Sequence, residues 1–244
     1  MRRADLQLLT AVLPTSLAFT REHLRAPLTL VLLIAIPVFF VLIFASILGD
    51  FAKALGGTLA AQSATAISAG WAAAFLSGTL AFFQVSSSRG ADRRLSAAGL
   101  GPWRVSGARI SAALAIGLTV SAVAFLTLLL RSGIGHPLHA AVAIASFAVI
   151  YIGLGALIGA FVKGALEGSL LIVFLFSVDA FSSPEMTSNG SFAWTPTRSA
   201  ANLLIAAGGG QGSPGADWLG MAAVAAGSIA VALGAFWFAA RTRA

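Results

Sequence analysis

The sequence has no cysteine. That excludes disulfide frameworks, thiolate catalysis and cysteine-based metal sites. It also has little charge. Asp, Glu, Lys and Arg together make up 9% of 244 residues, against about 25% in a soluble domain. A chain so poor in charge cannot build a solvated surface. With 58% hydrophobic residues and a mean hydropathy of +0.93, it reads as an integral membrane protein. Acidic residues number eight against fifteen basic ones. The net charge of +7 is not in itself a nucleic-acid signature, because membrane proteins collect Lys and Arg in cytoplasmic loops.

Chemistry-bearing groups are also scarce. No G-x-x-x-x-G-K-[ST] pattern occurs, so ATP hydrolysis through a P-loop is not expected of this chain. The nearest fragment, Gly164 to Ser169, lacks the spacing and the lysine. The three histidines, His23, His136 and His139, fall in predicted loops or span ends, and no nearby carboxylate in sequence pairs with His136 or His139. The middles of the predicted spans contain no Asp, Glu, Lys, Arg or His, and Glu167 and Asp179 border the fifth span near opposite ends. A proton relay and a membrane hydrolase both lack the groups they need. The sequence thus predicts a conduit or gate, not an enzyme, with no catalytic residue, cofactor or metal of its own.

What the chain does have is long apolar runs. A bilayer core of roughly 30 Å needs about 20 apolar residues per helix. Runs at 28–48, 64–85, 107–130, 138–161 and 218–240 meet that length. The run at 168–183 is shorter, and its apolar part, Gly168–Phe181, would reach about 21 Å as a helix. Pro37 interrupts the first run and predicts a kink there. After the short run come Ser182-Ser183-Pro184, the moderately apolar Ala200–Ala207, and Gly- and Pro-rich breaks. This order fits a re-entrant outer hairpin or, equally, a surface loop with one amphipathic turn.

Small residues recur at Gly70, Ala74 and Gly78, and again at Gly155 and Gly159. Such stripes let helices approach closely, within one subunit or at a dimer seam.

Twelve basic residues fall on one side of this scheme: Arg2, Arg3, Arg21, Arg25, Arg89, Arg93, Arg94, Arg104, Arg109, Lys163, Arg241 and Arg243. Lys53, Arg131 and Arg198 fall on the other. The imbalance predicts both termini in the cytoplasm, with an even number of spans. The fold expected is therefore an all-α membrane domain over 1–244, with six transmembrane helices. Trp103, Trp218 and Trp237 sit near predicted membrane edges. Residues 1–27 read as a retained cytoplasmic segment. Within it Thr15–Arg25 mixes Leu17, Phe19 and Leu24 with charges, as an interfacial helix does.

The densest charge lies between the second and third spans, in SSSRGADRRLSAAGLGPWR (86–104). Positive-inside bias alone accounts for arginines there, but it does not specify Arg89-Gly90, Arg94-Leu95, Gly101-Pro102-Trp103 and Ala108-Arg109. That arrangement resembles the membrane subunits of type-2 ABC exporters. Arg25-Ala26-Pro27 followed by Ile36-Pro37, the short fifth span and the ending Arg241-Thr242-Arg243 extend the likeness over nearly the whole chain. Ser86, Ser88 and Ala91 depart from the family pattern of acids and Thr at those places.

The resemblance implies a fold with a cytoplasmic coupling helix at 86–106 that docks on a separate ABC ATPase. Arg89, Gly90, Arg93, Arg94, Leu95 and Trp103 would be the coupling residues. It implies that ATP and Mg bind the partner ATPase, and that two permeases, identical or related, enclose the path in a bacterial cytoplasmic membrane. The cargo would be a drug, antibiotic or lipid-like amphiphile. The alternative reading is an ATP-independent channel, small carrier or structural membrane subunit. Neither reading involves nucleic acid; membrane lipid is the common partner.

Overall fold

The structure, a computed structural model, describes residues 27–183, 185–186, 195–209 and 214–241. The predicted interfacial segment, with Arg2, Arg3, Arg21, His23 and Arg25, lies outside the described residues, as does Arg243. Every regular element described is helical. Helix α1 covers Pro27–Phe39, and α2 covers Ala45–Ala54. A π-turn at Phe40–Phe44 joins them just beyond Pro37. Then come α3 (Ala61–Leu95), a second π-turn (Ser96–Leu100), α4 (Pro102–Arg131) and α5 (Pro137–Phe161). Helices α6 (Ala165–Phe181), α7 (Arg198–Ala207) and α8 (Pro214–Ala240) complete the order.

Five helical stretches are long and apolar enough to cross a bilayer: Val31–Ala54, Ala61–Leu100, Pro102–Arg131, Pro137–Phe161 and Asp217–Ala240. The protein is a multi-pass membrane protein. Helix α6, at 17 residues, reaches about 26 Å, just short of the core thickness. Its exposed side is apolar, with Leu166, Leu170, Val173 and Phe174 facing outward.

Helix α3 is the hub. It is built largely of Ala, Gly and Ser, and nearly every residue from Ser63 to Gly78 is buried. Small side chains bring neighbouring backbones together, as packing in lipid favours. The closest approach is to α5. A Cβ on Gly155 would collide with the backbone of Gly78, and one on Gly159 would lie 2.8 Å from the Phe82 carbonyl. A Cβ on Gly70 would meet Phe147 at 2.9 Å and Leu204 of α7 at 2.7 Å. Both small-residue stripes thus face helices of the same chain. Beside them Trp71, fully buried, meets Phe147, Phe176 and Tyr151 edge-on at 5.0, 5.3 and 6.2 Å.

The connections between the long helices gather at two ends. At one end the Thr58 N–H donates to the Glu185 carbonyl (3.0 Å), the Gly135 N–H to the Ala207 carbonyl (3.2 Å), and the Gln62 amide to the Gly133 carbonyl. Partial burial there pushes the Glu185 carboxyl above the usual range. The short α7 belongs to this end. Its Ala200, Leu203, Leu204 and Ala207 are buried against the body, in place of an exposed amphipathic turn. The other end holds the arginine-rich stretch.

Candidate coupling end and buried carboxylate cleft

The arginine-rich stretch is helical on both sides of a short turn. Helix α3 has 35 residues and is about 52 Å long, roughly 20 Å more than a bilayer core. Arg89, Arg93 and Arg94 ride on its last two turns. The chain then reverses at the Ser96–Leu100 turn, where Gly99 and Gly101 take φ of 102° and 73°. This left-handed region favours glycine. Pro102 opens α4 at a first-turn position, where its missing N–H costs nothing.

Four contacts fasten this end. Asp92 and Arg109, 2% and 5% exposed, form a two-pronged ion pair between α3 and α4. The Arg109 Nη2 donates to Asp92 Oδ1 at 2.8 Å and Nε to the same oxygen at 3.1 Å. Ser88 Oγ donates to Asp92 Oδ2 at 2.9 Å. Arg89 donates to the carbonyls of Gly159 and Val162 (the latter at 3.0 Å), at the C-terminus of α5. Arg93 Nε donates to the Ala239 carbonyl at 3.3 Å, at the C-terminus of α8. Helix C-termini leave carbonyls unpaired and carry partial negative charge, so arginines satisfy them in both respects. Residues 88, 89, 92 and 93 lie one turn apart on α3, which is why a single helix face can hold three others.

The predicted coupling residues therefore divide. Arg89 and Arg93 turn inward as caps. Leu95 is partly buried against Ala108 and Ala112. Gly90 and Arg94 are exposed, and Arg104 stands exposed beside Trp103, which is 64% exposed. Trp103 rests on Trp237 at 5.5 Å, and the Arg241 guanidinium lies over the Trp237 ring at 4.5 Å. Asp92 belongs to none of the sequence motifs, yet it anchors this end. Its one signal in the sequence is that it is the only carboxylate among the arginines of 89–104.

The second feature lies toward the opposite end. Asp179, in the last turn of α6, is 5% exposed. It accepts hydrogen bonds from Tyr151 Oη (3.0 Å) on α5 and from Thr197 Oγ1 (2.9 Å) just before α7. Tyr151 is the sole tyrosine of the chain. A cleft of about 270 Å³ adjoins the carboxylate, lined by Tyr151, Leu154, Leu175, Val178, Asp179, Ser182, Thr195 and Pro196. Hydropathy places Asp179 at a span border, but its partners lie 28 and 18 residues away, beyond helical spacing. Among the described residues, no group of three or more His, Asp or Glu could hold a metal ion. His136 and His139 stack on each other at 5.1 Å.

No family model, curated protein or solved structure matches this chain. The geometry of these two places is therefore what a functional reading has to stand on.

Proposed function

We propose that the protein is the membrane subunit of an ATP-driven exporter in a bacterial cytoplasmic membrane, working with a separate cytoplasmic ATPase and a second permease copy or relative. The observation that carries this reading is the fastened arginine end. An exposed basic and aromatic tip, formed by Arg94, the turn at 96–100, Trp103 and Arg104, is tied through Asp92–Arg109, Arg89 and Arg93 to α4, α5 and α8. A partner pushing on that tip would move four long helices together, which is what rigid-body coupling requires. Basic residues also favour that end for the cytoplasm. Among the described residues seven Lys or Arg cluster there, against Lys53, Arg131 and Arg198 at the other. With α6 counted as a sixth crossing, both termini fall on that side.

The resemblance of the sequence to type-2 exporter permeases names the partner. In this arrangement the contact surface is the tip itself, and Arg89 and Arg93 act behind it as fasteners. The test is co-purification from the native host followed by reconstitution. A stoichiometric P-loop ATPase should accompany the wild-type chain. Arg94→Glu combined with Arg104→Glu should weaken its binding by about thirtyfold, the size expected for loss of an interface anchor worth ~2 kcal/mol. A chain purified from its host with no ATPase, or unaffected by the double reversal, overturns the reading.

One observation favours the alternative of an ATP-independent carrier, namely the buried carboxylate Asp179, since intramembrane acids often serve ion-coupled transport. Transport by the isolated chain in liposomes without ATPase, lost in Asp179→Asn, would establish it.

A further inference from the structure

A second cavity opens at the end opposite the arginine-rich one. It holds about 330 Å³ and lies between α2, the start of α3 and the last residue of α4. Three span ends meet there. Val31–Ala54 stops one residue past Lys53, Pro102–Arg131 stops at Arg131 itself, and Ala61 begins the next span. Span ends lie at the edge of the hydrocarbon core, level with lipid headgroups. The lining includes three charged side chains, Asp50 and Lys53 of α2 and Arg131 of α4.

The protein itself uses these charges only lightly. Lys53 Nζ reaches Asp50 Oδ1 at 3.4 Å, three residues away along α2, and the two side chains are 75% and 79% exposed. A solvent-facing pair of that kind contributes little. Arg131 Nη1 donates to the Leu42 carbonyl at 2.8 Å, and its other N–H groups have no partner among the described residues. Ala60 and Ala61 also line the cavity, and no side chain caps α3 there, so the positive end of a long helix adds to the two cations. Toward the membrane from these charges the surface is apolar, with Ile47 and Phe51 of α2 and Leu130 of α4 exposed.

We infer that this cavity seats the headgroup of an aminophospholipid, whose phosphodiester meets Lys53 and Arg131 and whose primary ammonium meets Asp50. Each charge of such a headgroup then faces its opposite. A guanidinium with free N–H groups suits phosphate oxygens. A primary ammonium brings three donors to a carboxylate, whereas the trimethylammonium of choline brings none. The acyl chains would lie along Ile47, Phe51 and Leu130, where burial returns their transfer energy; a soluble headgroup lacks that term. The volume falls within the usual range of ligand pockets, about 300–1,000 Å³. The inference rests on the membrane setting alone and holds whether or not an ATPase drives the protein.

Native mass spectrometry of the full chain in detergent, with defined lipids at equal concentration, provides the test. The probes are dioleoyl phosphatidylethanolamine, dioleoyl phosphatidylcholine and dioleoylglycerol, which share their chains. Wild-type protein should retain the ethanolamine lipid about tenfold more than dioleoylglycerol, the scale of charge-assisted hydrogen bonds, and severalfold more than the choline lipid. Lys53→Gln combined with Arg131→Gln should bring the ethanolamine lipid down to the level of dioleoylglycerol. Asp50→Asn should erase the preference for ethanolamine over choline and keep the preference for both over dioleoylglycerol. Gly49→Leu fills the cavity with the charges in place, since a Cβ there meets only Ala64, at 3.9 Å; it should lower retention of both phospholipids. Soluble glycerophosphoethanolamine at the same concentration should displace none of the bound lipid. Ethanolamine and choline lipids retained alike, retention unchanged in the double variant, or displacement by the soluble headgroup overturns the inference. If the double variant fails to fold, Gly49→Leu decides: lost retention supports the site and full retention refutes it.

Discussion

Asp92 and Arg109 show what one pair of residues does in a chain so short of charge. Both are buried, and each offsets part of the other's desolvation cost through two hydrogen bonds, with Ser88 supplying a third to the carboxylate. Breaking one side of such a pair costs far more than the pair contributes, because the remaining charge stays buried alone. Asp92→Ala should therefore destabilise the protein by about 3–5 kcal/mol, and Arg109→Ala by a similar amount. The double variant should cost clearly less than the sum of the two. Thermal unfolding of the detergent-solubilised protein, run as a double-mutant cycle, measures this. Additive losses would mean that the pair is not coupled. Tyr151 and Asp179 carry the corresponding point for the other end, where the sole tyrosine and a buried carboxylate become partners only because α5 and α6 set them 3.0 Å apart.

Helix α3 decides more of the architecture than any other element. Its poverty in large side chains, which makes it a weak span by hydropathy, is what lets α5 come close. Gly155→Ala places a methyl group into the backbone of Gly78. Overpacking of this kind costs about 1–3 kcal/mol, and the helices must separate to relieve it. Gly227→Ala on α8 is the control. An added Cβ there meets nothing within 4 Å, so it should be neutral or stabilising by up to about 1 kcal/mol. Comparing the two midpoints of thermal unfolding tests whether close approach, and not glycine content, holds the hub together. At the far end of the same helix, Gly99→Ala meets no obstacle in space but must adopt a φ of 102°. It should loosen the α3–α4 turn, seen as faster proteolysis after Arg94, at little cost to the membrane-embedded body.

For the molecule as a whole, the missing cysteines become an asset. Single cysteines can be introduced with no background labelling. In intact cells Gly133→Cys, at the end opposite the arginines, should react with a membrane-impermeant maleimide. Ala97→Cys, in the exposed turn of the arginine end, should react only after the cells are opened. The reverse pattern would invert the orientation and remove the tip from reach of any cytoplasmic ATPase. The long spans are legible in the sequence, because hydropathy over about 20 residues reports the solvent a helix must face. The extent of the second span is not. Charge makes 86–104 look like a loop, whereas α3 stays helical to Leu95, since arginine is itself a good helix former and the ends of α5 and α8 accept its arginines. The place of Ala200–Ala207 is likewise open in sequence, where a hairpin and a surface turn predict the same composition; burial of Leu203 and Leu204 settles it against the body.

By itself the sequence determined the environment: few charges, no cysteine and long apolar runs leave a helical membrane protein as the solution that satisfies the backbone in lipid. It also determined where charge is concentrated. Only the tertiary structure decided what that charge touches. Arg89 and Arg93 find the ends of α5 and α8, Asp92 finds Arg109, and Asp179 finds Tyr151 and Thr197. Those partners come from separate elements, and no local periodicity encodes which helix end will arrive beside which side chain. That choice is made by the packing of small residues along α3.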